Sequence, residues 1–315
     1  MTAASLFVTS GDLAADRRYQ WALDHAARGD FSAAVDILLQ TVELAPGFAT
    51  AWFALGAIRD RLGARDAAIA AFETAQKLDP DDYHGARLQL ARLGAGEAAP
   101  AMTASYVRRL FDQYAVRFET SLVERLDYCG PALLREAVAA VMWRADRPLR
   151  FGAMLDLGCG TGLAGAAFAA WVDYLIGIDL SPAMIARAQA KGVYGRLVTA
   201  DLLDALKVEA IEQTRYELAV AADVFVYVNE IGPIVDAVAA ILTPGGLFAF
   251  TVETHAGDGI KLLPTLRYAH AEQYVRTVLR NAGLAVARID RKPIRSEKAV
   301  PVNSLVVVAQ PSTSR

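Results

Sequence analysis

The N-terminal hundred residues have the spacing of short amphipathic helices. Apolar side chains, many of them alanine, recur every three or four residues between positions 17 and 93. Turn-forming sequences interrupt this pattern at four places, which are Arg28-Gly29-Asp30, Pro46-Gly47, Leu62-Gly63 and Asp79-Pro80. The pattern therefore predicts antiparallel helices joined by tight turns, with a further helix from residue 83 to residue 93.

A different pattern begins near residue 150. Short apolar runs alternate with helical segments there, as they do in parallel strands that are covered by helices. The runs interpreted as strands occupy residues 154–157, 173–179, 196–200, 216–227 and 242–252, and residues 283–290 and 303–310 predict a closing β-hairpin. We therefore expect an α/β fold that follows an all-α region.

The segment between these two patterns contains a linker and two predicted helices. Residues 94–100 are rich in glycine, alanine and proline, which places the domain boundary between 1–100 and 101–315. The two helices lie within residues 105–143. The first of them, residues 105–128, has one aromatic face. The residues of this face follow one another at four-residue spacing and are Tyr106, Leu110, Tyr114 and Phe118.

The composition excludes several classes of protein. With 54% hydrophobic residues over 315 positions, the chain can bury ordinary cores, and its net charge of −3 predicts no nucleic-acid partner. Two cysteines without zinc-ligand spacing predict neither a disulfide framework nor a metal site. No basic leader and no charge-free run of about 18 residues are present, so we expect a cytoplasmic protein without a membrane span.

The helical region has the offsets of a 34-residue repeat. The segment from Ala49 to Pro80 resembles the tetratricopeptide repeat, through Trp52, Leu55, Gly56, Ala68, Phe72, Ala75 and Pro80. A preceding copy is degenerate and keeps only Ala34, Leu38 and Pro46 at the corresponding offsets. Such repeats can form a groove for a protein partner, and the alternative is a cap on the catalytic domain or a homodimer contact.

A glycine-rich loop follows the first strand of the α/β region. Residues 154–162 read strand, tight loop and helix start, with glycine at Gly158, Gly160 and Gly162. Gly160, Gly162 and Gly165 also satisfy the dinucleotide-binding fingerprint, which leaves a nicotinamide or flavin nucleotide as an alternative ligand. Against this alternative, Asp156 would place a carboxylate beside a pyrophosphate, whereas it suits a cofactor with cationic groups.

The Asp-x-Gly-x-Gly-x-Gly sequence at 156–162 resembles the signature loop of Rossmann-like methyltransferases that use S-adenosylmethionine. This resemblance covers about residues 104–312 and implies a seven-stranded sheet whose last strand is antiparallel, with helices on both faces. Together with the repeat, the chain resembles bacterial methyltransferases that contain tetratricopeptide repeats. In that family the helix before the sheet covers the cofactor, which would place Tyr114, with Tyr106 as a second candidate, over the sulfonium.

Further cofactor residues follow from the ends of the next strands. Asp179 ends the second strand, where an acid can accept hydrogen bonds from both ribose hydroxyls, and Leu180 follows it. Ser181 and Pro182 predict the start of a helix in which Met184 packs either on adenine or on the core. The resemblance implies that Asp201 and Leu202 contact the adenine. The predicted cofactor residues are Asp156, Gly158, Gly160, Gly162, Asp179, Leu180, Met184, Asp201, Leu202, Asp223 and Tyr114.

The acceptor side has fewer signals. Asp223 lies near the carboxyl end of the fourth strand. His255, just after the fifth strand, and His270, at the predicted start of a later helix, are the candidates for a general base, against a loop role for His255 and helix capping or packing for His270. Glu230 and Glu253 are further candidate carboxylates. A basic cluster around the sixth strand forms either a solvated face or a site for an anion, and it consists of Arg288, Arg291, Lys292, Arg295 and Lys298.

Three hypotheses about function follow. The first is a methyltransferase that transfers a methyl group from S-adenosylmethionine to oxygen, nitrogen or sulfur of a small-molecule acceptor. The second is a protein methyltransferase whose repeats recruit a polypeptide. The third is a noncatalytic scaffold that binds the cofactor.

Overall fold

The computed structural model describes residues 9–97, 101–115, 127–297 and 300–312. The chain divides into two compact units, Met1–Tyr106 and Val107–Arg315, which we name the repeat unit and the α/β unit. The division falls at residue 106, whereas the sequence predicts a boundary at residue 100. Phe118 and Lys298, which belong to the predicted aromatic face and the basic cluster, lie outside the described residues.

The repeat unit is built from antiparallel helix pairs. Its helices are α1 (Leu13–Ala27), α2 (Phe31–Leu44), α3 (Ala49–Arg61), α4 (Arg65–Leu78) and α5 (Ala86–Arg92). All four predicted turn sequences coincide with helix ends, and the last helix is shorter than the predicted segment 83–93. Asp12 and Asp30 start α1 and α2 as N-caps, because their carboxylates accept hydrogen bonds from amides of the first turn.

Close packing of α3 against α4 depends on a glycine. Gly56 is a buried residue in α3, and a β-carbon there would lie 2.8 Å from the ring of Phe72 in α4. Phe72 is fully buried among Ala68, Ala75 and Leu90, so its ring has little space to move. The pair explains why the repeat pattern has glycine at one offset and an aromatic residue sixteen positions later.

The α/β unit alternates strands and helices. Its helices are α6 (Ala104–Tyr114), which contains the division between the units, α7 (Gly130–Arg144), α8 (Leu163–Phe168), α9 (Pro182–Ala190), α10 (Leu202–Ile211), α11 (Gly232–Ile241) and α12 (Glu272–Asn281). Its strands are β1 (Phe151–Leu157), β2 (Val172–Asp179), β3 (Arg196–Thr199), β4 (Tyr216–Ala221), β5 (Leu242–Glu253), β6 (Ile260–Leu262), β7 (Tyr268–His270), β8 (Leu284–Arg291), β9 (Ser296–Glu297), β10 (Val300–Pro301) and β11 (Ser304–Pro311).

Seven of these strands form one sheet in the order β3-β2-β1-β4-β5-β11-β8. Strands β1 to β5 pair in parallel, whereas β11 inserts between β5 and β8 and is antiparallel to both. The predicted hairpin of residues 283–290 and 303–310 is therefore present as β8 and β11. This topology confirms the predicted Rossmann-like sheet with an antiparallel last strand, preceded by an all-α region.

The sheet separates two apolar cores. Successive residues of β1 point to opposite faces, so that Met154 joins one core and Leu155 the other. Side chains of α7 and α8 cover the first core, and side chains of α10, α11 and α12 cover the second. Among the described helices, none combines the length and apolar character that a bilayer crossing requires.

Two short pairs of strands lie outside the main sheet. β6 pairs with β7, and β9 pairs with β10, each in antiparallel register. The sequence places His270 at the start of a helix, but His270 pairs with Ile260 as the last residue of β7, and α12 begins at Glu272. The hairpin was missed because a three-residue strand has too few positions for a periodic pattern.

We expect Gly56→Ala to weaken the repeat unit by about 1–3 kcal/mol, since the new methyl group must displace the buried Phe72 ring. Amide hydrogen exchange of α3 and α4 peptides should become about tenfold faster or more. Gly47→Ala is the matched control, because no atom lies within 4 Å of a β-carbon at that exposed position. Equal exchange rates in Gly56→Ala and the unmodified protein would contradict the packing role.

Candidate functional site

The sequence-predicted site residues gather at the carboxyl ends of the parallel strands. From β1 the strand order runs through β2 to β3 on one side and through β4 to β5 on the other. The order of the parallel strands therefore reverses between β1 and β4. Ligands of open α/β sheets bind outside the strands at such a switch point. Asp156, Asp179 and Asp223 stand at or just beyond the ends of β1, β2 and β4.

The loop after β1 has a backbone that only glycine adopts readily. Gly158, Gly160 and Gly162 have φ angles of +64°, +54° and +87°. At Gly158 a β-carbon would also lie 2.6 Å from the Val224 side chain. The loop therefore packs directly on the residue after Asp223, which brings the ends of β1 and β4 together.

Asp179 ties this loop to the start of α9. Its two carboxylate oxygens accept hydrogen bonds from the Gly160 amide and the Ser181 amide, each at 2.8 Å. Ser181 in turn caps α9 by accepting from the Met184 amide, as the sequence predicts. Met184 is fully buried. The Leu180 amide also donates to this carboxylate, which keeps acceptor capacity for a ligand hydroxyl.

Asp156 is held by a tyrosine that the sequence did not predict. The Tyr194 hydroxyl donates to Asp156 Oδ2 at 2.6 Å, whereas Oδ1 is buried and has no hydrogen-bond partner among the described residues. A β-carbon at Gly165 would lie 2.2 Å from the Tyr194 hydroxyl oxygen. The third glycine of the dinucleotide-like fingerprint therefore makes room for Tyr194.

Burial raises the pKa of Asp156 to about 7, because the Tyr194 hydroxyl and the nearby Gly165 amide offset the desolvation only in part. Burial also raises the pKa of Asp179, against the opposing effect of the Ser181 and Gly160 amides. The Asp179 charge disfavours ionisation of Asp156, and the Asp112 charge disfavours ionisation of Asp179. Asp112, Asp156 and Asp179 thus form one negative cluster, which we name the loop acids.

Asp112 belongs to α6, the helix predicted to cover the cofactor. Its Oδ1 accepts a hydrogen bond from the Ser181 hydroxyl at 2.5 Å. The neighbouring Phe111 packs edge-on against Tyr227 with ring centroids 5.0 Å apart. Tyr114, for which the sequence predicts cofactor contact, ends the helix with 48% of its surface exposed.

The other predicted cofactor residues lie at the rim. Asp201 is exposed and caps α10 by accepting a hydrogen bond from the Leu203 amide at 2.9 Å. Leu202 is the first residue of α10, and Leu180 follows Asp179 directly; both are partly buried. These residues border the carboxyl ends of β2 and β3, on the side of the sheet away from β4.

A buried arginine organises the other half of the site. Arg295 is fully buried, and its guanidinium donates to Asp223 Oδ1 at 2.5 Å, to Glu253 Oε2 at 2.8 Å and to Glu297 Oε1 at 3.2 Å. The expectation of a solvated face is therefore wrong for Arg295, although Arg291 is 68% exposed. Arg295 is buried because three carboxylates from different segments meet around it.

A second arginine completes this group. Arg267 pairs with Glu297 and donates a hydrogen bond to the Tyr227 hydroxyl. Burial raises the pKa of Asp223 and of Glu253, and the positive charges of Arg295 and Arg267 lower both pKa values in part. We name these residues the arginine cluster, which consists of Asp223, Tyr227, Glu253, Arg267, Arg295 and Glu297.

Tyr128 connects the two halves. It is partly buried, and desolvation raises the pKa of its hydroxyl, with further contributions from the charges of Asp223, Arg295 and Asp156. A single phenol is thus within electrostatic range of the ends of β1 and β4. The loop acids and the arginine cluster form one continuous site.

The two candidate histidines occupy different environments. His270 is fully buried, its Nε2 lies 2.9 Å from the Asn229 carbonyl oxygen, and its ring stacks on Tyr274. Burial lowers the pKa of His270, which favours the neutral ring. His255 lies in the loop after β5, where its Nδ1 accepts a hydrogen bond from the Gly257 amide at 3.1 Å. Glu230 is exposed.

Sequence reasoning missed the partners that hold the predicted acids. Tyr194 carries no motif of its own, Asp112 and Arg267 were assigned no role, and Arg295 was grouped with exposed cations. The Gly165 and Gly177 pair was an available signal, because both glycines leave space for the Tyr194 ring. In the part of the chain that the structure describes, no three His, Cys, Asp or Glu side chains are arranged to hold a metal ion.

Comparison with known protein families agrees with both sequence resemblances. Residues 155–248 match the family model described as a methyltransferase domain, and residues 49–82 match that of the tetratricopeptide repeat. The prediction of a repeat region followed by a methyltransferase-type domain is thereby confirmed. The methyltransferase match begins within β1 and ends within β5, so it includes the glycine loop, Asp179 and Asp223.

Individual relatives are similar over a limited part of the chain. The ubiquinone biosynthesis O-methyltransferase of Bradyrhizobium sp. (strain ORS 278) is 32% identical over 94 residues, 30% of this chain and 37% of the relative. The protein of the same name from Xylella fastidiosa (strain 9a5c) is 32% identical over 107 residues, 33% of this chain and 44% of the relative. The chain thus spans less than half the length of these curated relatives.

Among solved structures, an S-adenosylmethionine-dependent methyltransferase from Clostridium acetobutylicum ATCC 824 is similar with 15% sequence identity and a TM-score of 0.45. The similarity covers 63% of this chain and 98% of that protein.

The raised pKa of Asp156 predicts that ionisation opposes folding. The folded state holds a proton up to about pH 7, whereas the unfolded state releases it near 3.8, so stability is lost as pH rises between these values. Between pH 5.5 and pH 8, we expect the unfolding free energy of Asp156→Asn to fall by about 2 kcal/mol less than that of the unmodified protein, measured by urea denaturation.

Asp173→Asn, at the amino end of the neighbouring strand β2, is the control, because its side chain is 53% exposed and pairs with the exposed Arg150. The prediction would be wrong if Asp156→Asn and Asp173→Asn had the same pH dependence.

Proposed function

We propose that the chain is an S-adenosylmethionine-dependent methyltransferase that acts on a small-molecule acceptor. The methyltransferase match supports this proposal, as do the similarity to ubiquinone biosynthesis O-methyltransferases and the position of the acids at the switch point of the sheet. The proposal is carried by one observation, the cluster of the loop acids around the glycine loop.

The loop acids distinguish between the two ligands that the glycine pattern allows. A pyrophosphate has about two negative charges, which would lie next to Asp156, Asp179 and Asp112. Like charges repel strongly in a buried site, because little water is present to screen them. S-adenosylmethionine has a sulfonium, an ammonium and a single carboxylate, so its net charge is positive. The site therefore favours this cofactor over a dinucleotide.

The residues present fit the groups of this cofactor. Asp179 can accept hydrogen bonds from ribose hydroxyls at the end of β2, and the buried Asp156 favours cationic groups through its charge. Asp201, Leu202 and Met184 border the place proposed for adenine. Gly158 keeps the loop surface free of side chains, so that the backbone itself can contact the ligand.

The arginine cluster is proposed to receive the acceptor. When bound, S-adenosylmethionine supplies an activated methyl group on its sulfonium. Asp223 borders the loop through Val224 and can accept the hydrogen bond of an incoming O–H or N–H group. Phe111 and Tyr227 pack together above this half of the site, where they can exclude water. His270 and His255 remain proposed base candidates.

Calorimetric titration with S-adenosylmethionine, S-adenosylhomocysteine and NAD tests the proposal. We expect micromolar binding of the first two compounds and no binding of NAD. Asp179→Ala should weaken S-adenosylhomocysteine binding by about a hundredfold, because two charge-assisted hydrogen bonds are lost. Asp173→Ala, an exposed acid of the same strand, should bind with unchanged affinity.

Binding of NAD alone would exclude the proposed cofactor and would assign the glycine fingerprint to a dinucleotide. An Asp179→Ala variant that is folded by circular dichroism and binds with full affinity would remove Asp179 from the site.

A further inference from the structure

Arg295 has the environment of a residue that fixes other groups. Its side chain is fully buried, and each of its three nitrogens donates to a different carboxylate. The partners come from separate segments: Asp223 follows β4, Glu253 ends β5 and Glu297 lies in β9. A rigid planar guanidinium that bonds all three fixes their relative positions as a lysine would not.

The backbone at Asp223 indicates what this arrangement holds. Asp223 has a φ angle of +59°, which is unfavourable for a residue with a side chain, and its amide donates to the Thr251 hydroxyl at 2.8 Å. Aspartate adopts this conformation more readily than most residues, and two contacts hold it in place here. The Thr251 hydroxyl holds the backbone of Asp223, and Arg295 holds its carboxylate.

Asp223 also lies next to the proposed cofactor loop. The Val224 side chain occupies the space beside Gly158, and Tyr128 is within electrostatic range of both Asp156 and Asp223. The Asp223 side chain is 13% exposed, whereas that of Arg295 is 0% exposed. A ligand can therefore reach the carboxylate but not the guanidinium behind it.

We propose that Arg295 is a positioning residue that presents the Asp223 carboxylate to the methyl acceptor, and that the acceptor is a compound with an O–H or N–H donor at the atom methylated. This inference rests on the proposed function and names the acceptor class for the same site. Arg295 acts through Asp223 and does not touch the acceptor.

The chemistry of a carboxylate defines this acceptor class. An ionised carboxylate accepts hydrogen bonds only, so it orients alcohols, phenols and amines. A thioether or an unactivated carbon has no such donor, and a thiol is a weak one. An acceptor bound through its own carboxylate would be repelled by Asp223, which excludes the anionic-substrate interpretation of the basic residues at this position.

The presented carboxylate can be probed without knowing the acceptor. Sinefungin is a cofactor analogue in which a carbon with a primary amine replaces the methylated sulfur, so its ammonium points to where the methyl group would leave. S-adenosylhomocysteine has no group at that position. The ratio of the two dissociation constants, measured by calorimetry, therefore reports a negative charge on the acceptor side.

We expect the unmodified protein to bind sinefungin at least about tenfold more tightly than S-adenosylhomocysteine. Asp223→Asn and Arg295→Met should each abolish this preference, and Arg295→Lys should retain part of it, since a lysine keeps the charge but not the three-way geometry. The S-adenosylhomocysteine constant of each variant is the reference for its own ratio, so a general loss of cofactor affinity does not count as a loss of the preference. Arg291→Met, a change at an exposed cation of the same segment, is the matched control.

The outcomes separate this inference from the proposed function. If S-adenosylhomocysteine does not bind the unmodified protein, the proposed function fails. If it binds, an unmodified protein without the sinefungin preference overturns the inference. The same holds if Arg295→Met increases the preference, as removal of a mere bystander cation would. If Arg295→Met does not fold, the test rests on Arg295→Lys and Asp223→Asn. A full sinefungin preference in both of these variants would overturn the inference.

Discussion

Burial of carboxylates at one edge of a parallel sheet is the constraint on which the rest of this site depends. Four neighbouring strands, β2, β1, β4 and β5, each lead into a buried acid at or just beyond its carboxyl end, and burial raises the pKa of all four. Removing such groups from water costs free energy unless partners compensate. The four acids are Asp179, Asp156, Asp223 and Glu253. The need to compensate their desolvation explains which residues surround them.

The compensation differs between the two halves of the site. Asp179 and Asp156 accept hydrogen bonds from neutral donors, which are backbone amides and the Tyr194 hydroxyl. Asp223 and Glu253 are instead paired with Arg295. The first half is thus acidic, which suits the proposed cationic cofactor, whereas in the second half the arginines offset most of the negative charge. One sheet edge in this way holds two chemically distinct environments.

The sequence predicts what is local and misses what is distant. Strand ends, the glycine loop and the Ser181 cap follow from patterns of a few residues, so the acids were identified at the correct strand ends. Their partners are remote: Tyr194 is 38 residues from Asp156, Asp112 is 69 from Ser181 and Arg295 is 72 from Asp223. Helix spacing indicated an aromatic face on α6, but only packing shows Phe111 and Asp112 making the contacts.

The same constraint links ligand binding to stability. The loop acids oppose one another and Asp156 Oδ1 has no partner among the described residues, so desolvation of these carboxyl groups lowers the unfolding free energy. The cationic cofactor proposed for this half would reduce that repulsion. The relief enters through a lower dissociation constant, and the cofactor then stabilises the fold by mass action. Arg295 shows the opposite arrangement, because its compensation is internal and complete without a ligand.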